Sequence, residues 1–389
     1  MRTIALEEHY ATEAFMEGPG RELKARAEAA RDHPRVAAGY DGLIRRLCDL
    51  GEGRISEMEA AGVDVQVLSL TSPGVEQLDA ERAVSLAREA NETLAEATRR
   101  HPGHFAGFAA LPTVAPEAAA EELERAVRQH GFVGTLINGH TRGRYLDDPF
   151  YWPILERAEA LGVPIYLHPT PPPQPVVEAY YSGNFAPGVA GGLATAAWGW
   201  HVETATHVLR LVLSGVFDRF PGLQIIVGHM GEGIPFFVPR LDLALPSEMT
   251  GLDRRVGDYL RENVHYTFGG FDWTQAFLDL LLQVGAERIM FSADYPYASM
   301  EEARAFLDGL PVGPADREKI AHRNAERLLG LRAAVWPAGC AERSGPADLG
   351  GGFETARIAA WSRKPMAGRR RDCASARRPG RARRFNARP

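Results

Sequence analysis

Eight short apolar runs, each followed by a longer stretch with helical periodicity, set the limits on what this chain can fold into. The runs are Thr3–Leu6, Val65–Leu70, Phe105–Ala110, Val133–Ile137, Pro164–Leu167, Gln224–Val227, Val264–Thr267 and Arg288–Phe291. Most are β-branched or aromatic, as suits strands buried on both faces. The stretches between them are amphipathic. Ala80–Arg100 carries Ala83, Leu86, Ala87, Ala90 and Leu94 at i, i+3, i+4 spacing, and Pro116–Gln129 opens on a proline, which a first helical turn accepts. Tyr151–Leu161 stops at Gly162, and Glu203–Ser214 stops at Gly215. A strand–helix unit repeated eight times predicts an α/β fold, the parallel (β/α)8 or TIM barrel. A doubly wound open sheet is the competing arrangement. Its first strand usually enters a Gly-rich phosphate turn, whereas Leu6 here leads into Glu7-Glu8-His9.

Charge divides the chain unevenly. From Arg332 onward there are 14 basic and 4 acidic residues, which leaves 30 of the 44 basic and 46 of the 50 acidic residues to the first 331. A body this acidic argues against nucleic acid as a partner. The tail, with Arg369-Arg370-Arg371 and Arg381-Ala382-Arg383-Arg384, lacks apolar periodicity and is expected to be a disordered appendage rather than a nucleic-acid arm. The expected division is therefore a barrel over residues 1–331 and a tail over 332–389. No apolar run approaches the roughly 20 residues of a membrane span. The first strand-like run begins at Thr3, so no signal peptide is expected. Cys48, Cys340 and Cys373 are scattered and form no CxxC pair, so a reducing cytoplasm is the expected location.

Two connections exceed ordinary loop length, and both follow strand C-termini. Residues 10–53 carry helical patterns and are expected beside the barrel mouth. Residues 169–200 are rich in Pro, Gly and aromatics, including Tyr180, Tyr181, Phe185, Trp198 and Trp200, and read as a lid or substrate wall.

Chemistry collects where the strands end. Residues two apart in extended chain share a face, so Glu7 and His9 are expected to point together and Glu8 away. Tyr166-Leu167-His168 and Val227-Gly228-His229 each place an imidazole after an apolar strand, and Phe291-Ser292-Ala293-Asp294 places a carboxylate. A barrel brings these strand ends together at one face. Imidazole plus carboxylate, without thiolate, suits zinc, manganese or iron. Glu203 and His207, four apart on a helix outside the barrel, read as packing and hydrogen bonding rather than as a metal pair.

Several motifs together resemble the amidohydrolase superfamily, in the decarboxylase branch related to γ-resorcylate (2,6-dihydroxybenzoate) decarboxylase. They are Ala5-Leu6-Glu7-Glu8-His9, Tyr145-Leu146-Asp147-Asp148-Pro149, Tyr166-Leu167-His168-Pro169, Glu203-Thr204-Ala205-Thr206-His207, Gly228-His229-Met230-Gly231-Glu232 and Phe291-Ser292-Ala293-Asp294-Tyr295-Pro296. Hydrolytic members generally begin with His-x-His and use a strand-4 lysine as a bridging carbamate. Here Glu7 takes the first position and Val133–Ile137 holds no lysine, so one metal ion is expected. The resemblance implies Glu7, His9, His168 and Asp294 as ligands of one Mn2+ or Zn2+. It implies His229 and Glu232 as groups acting beside the substrate, and Asn138 and Arg240 as contacts to the aromatic acid, Arg240 across a subunit boundary. A homodimer or homotetramer is implied as well.

The expected reaction is non-oxidative decarboxylation of an ortho-hydroxylated benzoate, with Asp294 as the proton donor and His229 as the alternative. The rivals are a mononuclear hydrolase of a lactone or amide, a hydratase of the same branch, and a barrel kept as a binding scaffold. Phe15, Thr71, Asn138, Tyr180, Tyr181 and Phe185 are the expected rim.

Overall fold

The structure is a computed structural model that describes residues 1–29 and 34–331. Its eight strands are β1 Ile4–Tyr10, β2 Val65–Leu70, β3 Phe105–Ala109, β4 Gly134–Asn138, β5 Ile165–His168, β6 Ile225–Val227, β7 Val264–Thr267 and β8 Ile289–Met290. They pair in parallel in the order β1 through β8. The Leu6 amide donates to the Phe291 carbonyl at 3.1 Å, and the His9 amide to the Tyr295 carbonyl at 2.7 Å. These bonds join the first strand to the chain at and beyond the last, and the sheet is a TIM barrel as the alternation predicts. The basic tail lies outside the described residues. No helix among the described residues is long and apolar enough to cross a membrane.

Alternation along the strands sorts the core into two layers. Ile4, Leu6, Val65, Val67, Phe108, Leu136, Tyr166, Ile226 and Met290 fill the barrel interior. Ala5, Tyr10, Leu68, Ile137, Leu167, Val227 and Phe291 face the surrounding helices. Ala325 and Leu329, from the helix Asn324–Leu329, join the interior layer. Arg2, just before β1, pairs with Glu326 of that helix at 3.2 Å, which places it under the barrel floor, opposite the strand ends that carry the chemistry.

Three departures from simple alternation shape the barrel mouth. First, β1 runs on to Tyr10, so Glu7-Glu8-His9 lies within a strand instead of after one. Leu6 pairs with Val67 but Glu8 pairs with Leu68, so Glu7 is an extra residue, a β-bulge. Second, residues 169–200 are not structureless: they hold the helices Gln174–Tyr180 and Pro187–Ala194. Third, the next helix begins at Gly199, a turn earlier than its apolar periodicity suggests, and so takes in His201. Phe15 is fully buried in the outer core, which corrects its expected place on the rim.

Candidate active site

The bulge explains how β1 presents two polar groups to one place. Leu6 faces the interior, so strict alternation would send Glu7 outward. The extra residue, with φ 73° at Glu7, lets Leu6 and Glu7 both face inward while Glu8 turns out and His9 returns. Glu7 Oε2 accepts from the Tyr166 hydroxyl at 2.5 Å and the Thr267 hydroxyl at 3.2 Å. Glu7 Oε1 is buried without a partner. A Cβ added at Gly228 would lie 2.6 Å from both carboxylate oxygens, and one at Gly269 would lie 2.5 Å from Oε2, so these two glycines keep the cradle open.

His168 follows inward-facing Tyr166 by two residues, and Asn138 follows Leu136 likewise, so both turn inward at the strand ends. His168 Nδ1 lies 2.9 Å from the Pro169 carbonyl, an oxygen that can only accept. The N–H therefore sits on Nδ1, and Nε2 carries a lone pair. His168 Nε2 is 3.7 Å from Glu7 Oε1, and the rings of His9 and His168 meet edge to face at 4.9 Å. His9 Nδ1 is 3.4 Å from the Ser69 hydroxyl. Its Nε2 has no hydrogen-bond partner and lies 3.2 Å from Asp294 Oδ1. The structure thus brings Glu7, His9, His168 and Asp294 to the same end of the barrel, with His229 Nε2 also 3.7 Å from Glu7 Oε1.

Burial dominates the electrostatics. It pushes the Glu7 carboxyl up, against the pull of His229 and with Asp294 adding to the push. Asp294 is raised for the same first reason, with His229 opposing and Glu232 adding. Burial holds His9 down at about 3, and His168 well below the usual histidine range. Both imidazoles are therefore neutral donors of a lone pair. For His229 burial works downward too, but the charges of Glu232 and Glu7 outweigh it and raise the group to about 10. Two crowded carboxylates, two neutral imidazoles and two unpartnered donor atoms are a donor set that suits a divalent cation. A histidine ligand whose other nitrogen is tied to a carbonyl or hydroxyl is the usual arrangement around such an ion.

A second grouping stands beside the first. Among the described residues, His201, His229 and Glu232 are the group whose ligand-type atoms all lie within 4.8 Å of one another. Here, however, the atoms are spent on each other: Glu232 Oε2 lies 2.5 Å from His201 Nδ1, and Oε1 lies 2.7 Å from His229 Nδ1. An ion bound at those atoms would displace two charge-assisted hydrogen bonds.

Of the other expected residues, Asn138 is buried with its backbone and side-chain N–H groups donating to Glu76 Oε1 at 2.7 and 3.3 Å. Arg240 is exposed on the helix Ile234–Ala244 and is not brought into the site within one chain. Thr71 meets the Tyr297 hydroxyl at 2.7 Å, Tyr181 is buried, and Tyr180 is 74% exposed. Glu203 accepts from Tyr145, and His207 Nε2 accepts from the Leu146 amide at 2.9 Å, the packing role expected for the pair.

Sequence reasoning missed several groups. Glu8, fully buried, accepts from the Ala293 and Tyr295 amides at 2.8 and 3.3 Å and so grips the chain on either side of Asp294. Arg54, almost wholly buried, donates to the His9 carbonyl at 2.8 Å from behind the strand. Phe271 walls the His201 and His229 rings at 5.1 and 5.4 Å. Tyr166 was findable, since it stands two residues before His168. His201 was not, because nothing local links it to Glu232.

Strain gathers at the same place. Six non-glycine residues among those described have left-handed φ values, and Glu7, His229, Met230, Glu232 and Asp294 are five of them. Such residues cost about 1–3 kcal/mol each and persist where the surroundings hold them.

Comparison with known proteins agrees with this geometry. A family model described as amidohydrolase matches residues 41–331. The γ-resorcylate decarboxylase of a Rhizobium species is 39% identical over 345 residues, which is 85% of this chain and 99% of that protein. The crystal structure of a dihydroxybenzoic acid decarboxylase from a Polaromonas species, with bound manganese and the inhibitor 2-nitroresorcinol, superposes with a TM-score of 0.76. It is 38% identical and covers 86% of this chain and 98% of its own. A 5-carboxyvanillate decarboxylase from Novosphingobium aromaticivorans with bound manganese superposes with a TM-score of 0.77 at 34% identity, covering 85% of this chain and 97% of its own. The chain belongs to the amidohydrolase family.

Proposed function

We propose that this protein is a metal-dependent carboxy-lyase that removes the carboxylate of an ortho-hydroxylated benzoate without oxidation. One observation carries the reading most of the way. The inward donor on the first strand is the Glu7 carboxylate, raised on a bulge with one oxygen free, and β4 ends in Asn138 with no lysine along it. That donor set suits a single ion holding a chelating acid, rather than the paired ions that split water in the hydrolytic branch. The relatives that act on dihydroxybenzoates and carboxyvanillate support the same substrate class.

Glu7, His9, His168 and Asp294 would hold the ion, Mn2+ or Zn2+, whose contribution when bound is Lewis-acid polarisation of a carboxylate and an ortho phenolate oxygen. The rest of the chemistry belongs to the chain. Phe271 and Tyr297 flank the imidazoles and give an aromatic ring a wall to lie against. Asn138 presents a side-chain oxygen that has no partner in the protein, ready for a substrate hydroxyl. His229, held by Glu232 on its Nδ1 side, points Nε2 toward the substrate space and donates to the carboxylate. Asp294 delivers a proton to the ring carbon bearing that carboxylate. The carbon–carbon bond then breaks, carbon dioxide leaves, and the bonding pair restores the aromatic ring. Burial raises the Asp294 carboxyl, and the neighbouring Glu232 charge adds to this.

Arg240 fits the reading through a second copy of the chain. Phe236, Phe237 and Leu243 share its helix and are 71%, 53% and 72% exposed, an apolar face that suits pairing into a homodimer or homotetramer. Such pairing would bring Arg240 to a neighbouring site.

The decisive experiment offers the manganese- or zinc-loaded protein a panel of hydroxybenzoates alongside lactones. Release of carbon dioxide and the matching phenol is the expected result. Acid release from a lactone, without gas from any benzoate, would replace this reading by hydrolysis.

A further inference from the structure

His201 is 9% exposed, on the first turn of the helix Gly199–Leu213, and the proposed decarboxylation makes no use of it. Its Nδ1 lies 2.5 Å from Glu232 Oε2, while the other oxygen of that carboxylate receives His229 Nδ1 at 2.7 Å. A carboxylate in this position accepts, so both imidazoles donate to it. The two rings stand edge to face at 4.9 Å. On its far side His201 Nε2 has two neighbours of opposite kind. The indole N–H of Trp200, at 3.1 Å, donates; the Ala196 carbonyl, at 3.0 Å, accepts. The ring therefore has a partner for Nε2 with or without a proton there, and in both cases Nδ1–H remains directed at Glu232.

Glu232 needs such a hold. It ends a turn in which His229, Met230 and Glu232 all take left-handed backbone angles that side chains avoid, with φ of 51°, 54° and 56°. Two imidazole donors on one carboxylate are what keep that turn in place from the side-chain end. Ala196 and Trp200 belong to the inserted segment after β5, so His201 also fastens that segment to the turn.

We propose that His201 is a positioning residue: its Nδ1–H fixes the Glu232 carboxylate, which in turn orients His229 toward the substrate. The kinetic part of this rests on the decarboxylase reading; the structural part does not. Two other roles are open to an imidazole in this spot, a metal ligand or a ring packed on Phe271, and three substitutions separate them. Asparagine carries an amide N–H near the place of Nδ1. Glutamine reaches instead toward the place of Nε2. Phenylalanine keeps the ring and loses both nitrogens.

The expected result is that His201→Phe and His201→Gln lower kcat by roughly 10–100-fold, with KM and bound metal close to wild type, and that His201→Asn recovers most of the loss. A crystal structure of the phenylalanine variant should show Glu232 turned away from His229. Wild-type turnover in His201→Phe, with Glu232 unmoved, would overturn the proposal in favour of ring packing. Loss of bound metal in all three variants would overturn it in favour of a ligand. If the phenylalanine variant does not fold, the glutamine variant decides by the same readouts. If the wild type releases no carbon dioxide from any benzoate, the functional reading fails, and the position of Glu232 in the variant still tests His201.

Discussion

The barrel mouth holds two groupings of the same side chains, and they differ in what is left over. In Glu7, His9, His168 and Asp294, the outer nitrogens and one carboxylate oxygen are tied down by Ser69, Pro169, Tyr166 and Thr267. The inner atoms, Glu7 Oε1 and His9 Nε2, are buried with no hydrogen bond. In His201, His229 and Glu232 both carboxylate oxygens and both Nδ1 atoms are spent on one another. We propose that the first receives a cation and the second holds a shape. Histidines and carboxylates clustered in space are thus not equivalent evidence for metal; the free lone pairs are what distinguish them.

Breaking the first grouping should have the largest effect. His9→Ala or His168→Ala is expected to strip the metal and lower kcat/KM by about a thousandfold or more, on the order of 4 kcal/mol of transition-state stabilisation. A chelator should do the same to the wild type, and restored Mn2+ or Zn2+ should reverse it. Metal analysis beside carbon dioxide release checks both. Next comes Asp294→Asn, which should keep most of its metal and its affinity for a benzoate yet lose roughly 10²–10⁴ in kcat. Substantial turnover at normal metal content would remove Asp294 as the acid.

The second grouping should respond differently. Glu232→Gln is expected to lower kcat by about 10²-fold while bound metal stays near one equivalent, since Glu232 orients His229 rather than the ion. If metal disappears with Glu232, the distinction between the two groupings collapses. The smallest effect belongs to Ser69→Ala. It removes only the hydroxyl behind His9 Nδ1 and should weaken metal affinity about 10–100-fold, read by competition with a chelator of known strength.

How much of the fold and the site is legible in the sequence depends on the range of the signal. The eight strands and the helices after them are local patterns, and the barrel follows from them. The inward turn of His168 and Asn138 is also local, since each stands two residues beyond an interior apolar side chain. Glu7 is the instructive case. Its partnership with His9 is expected from two-residue spacing, but Leu6 also faces inward, which simple alternation forbids. A bulge reconciles the two, and bulges depend on pairing with β2 that no single segment reveals. The long-range groups are invisible for a similar reason. Glu8 grips amides 285 and 287 residues away, and His201 meets a carboxylate 31 residues on. Arg240 stays exposed on its helix within one chain, and no local pattern says what it meets.

The left-handed residues around the mouth have a consequence for anyone who evolves or engineers this protein. At Glu7, His229, Glu232 and Asp294 the backbone would be more comfortable with glycine, so each native side chain stands where stability alone would choose otherwise. A selection scored only on heat resistance would favour losing those side chains, by about 1 kcal/mol or more at each step. Thermal screening of variants therefore needs turnover as a second score, or it will drift toward a sturdier barrel that no longer does any chemistry.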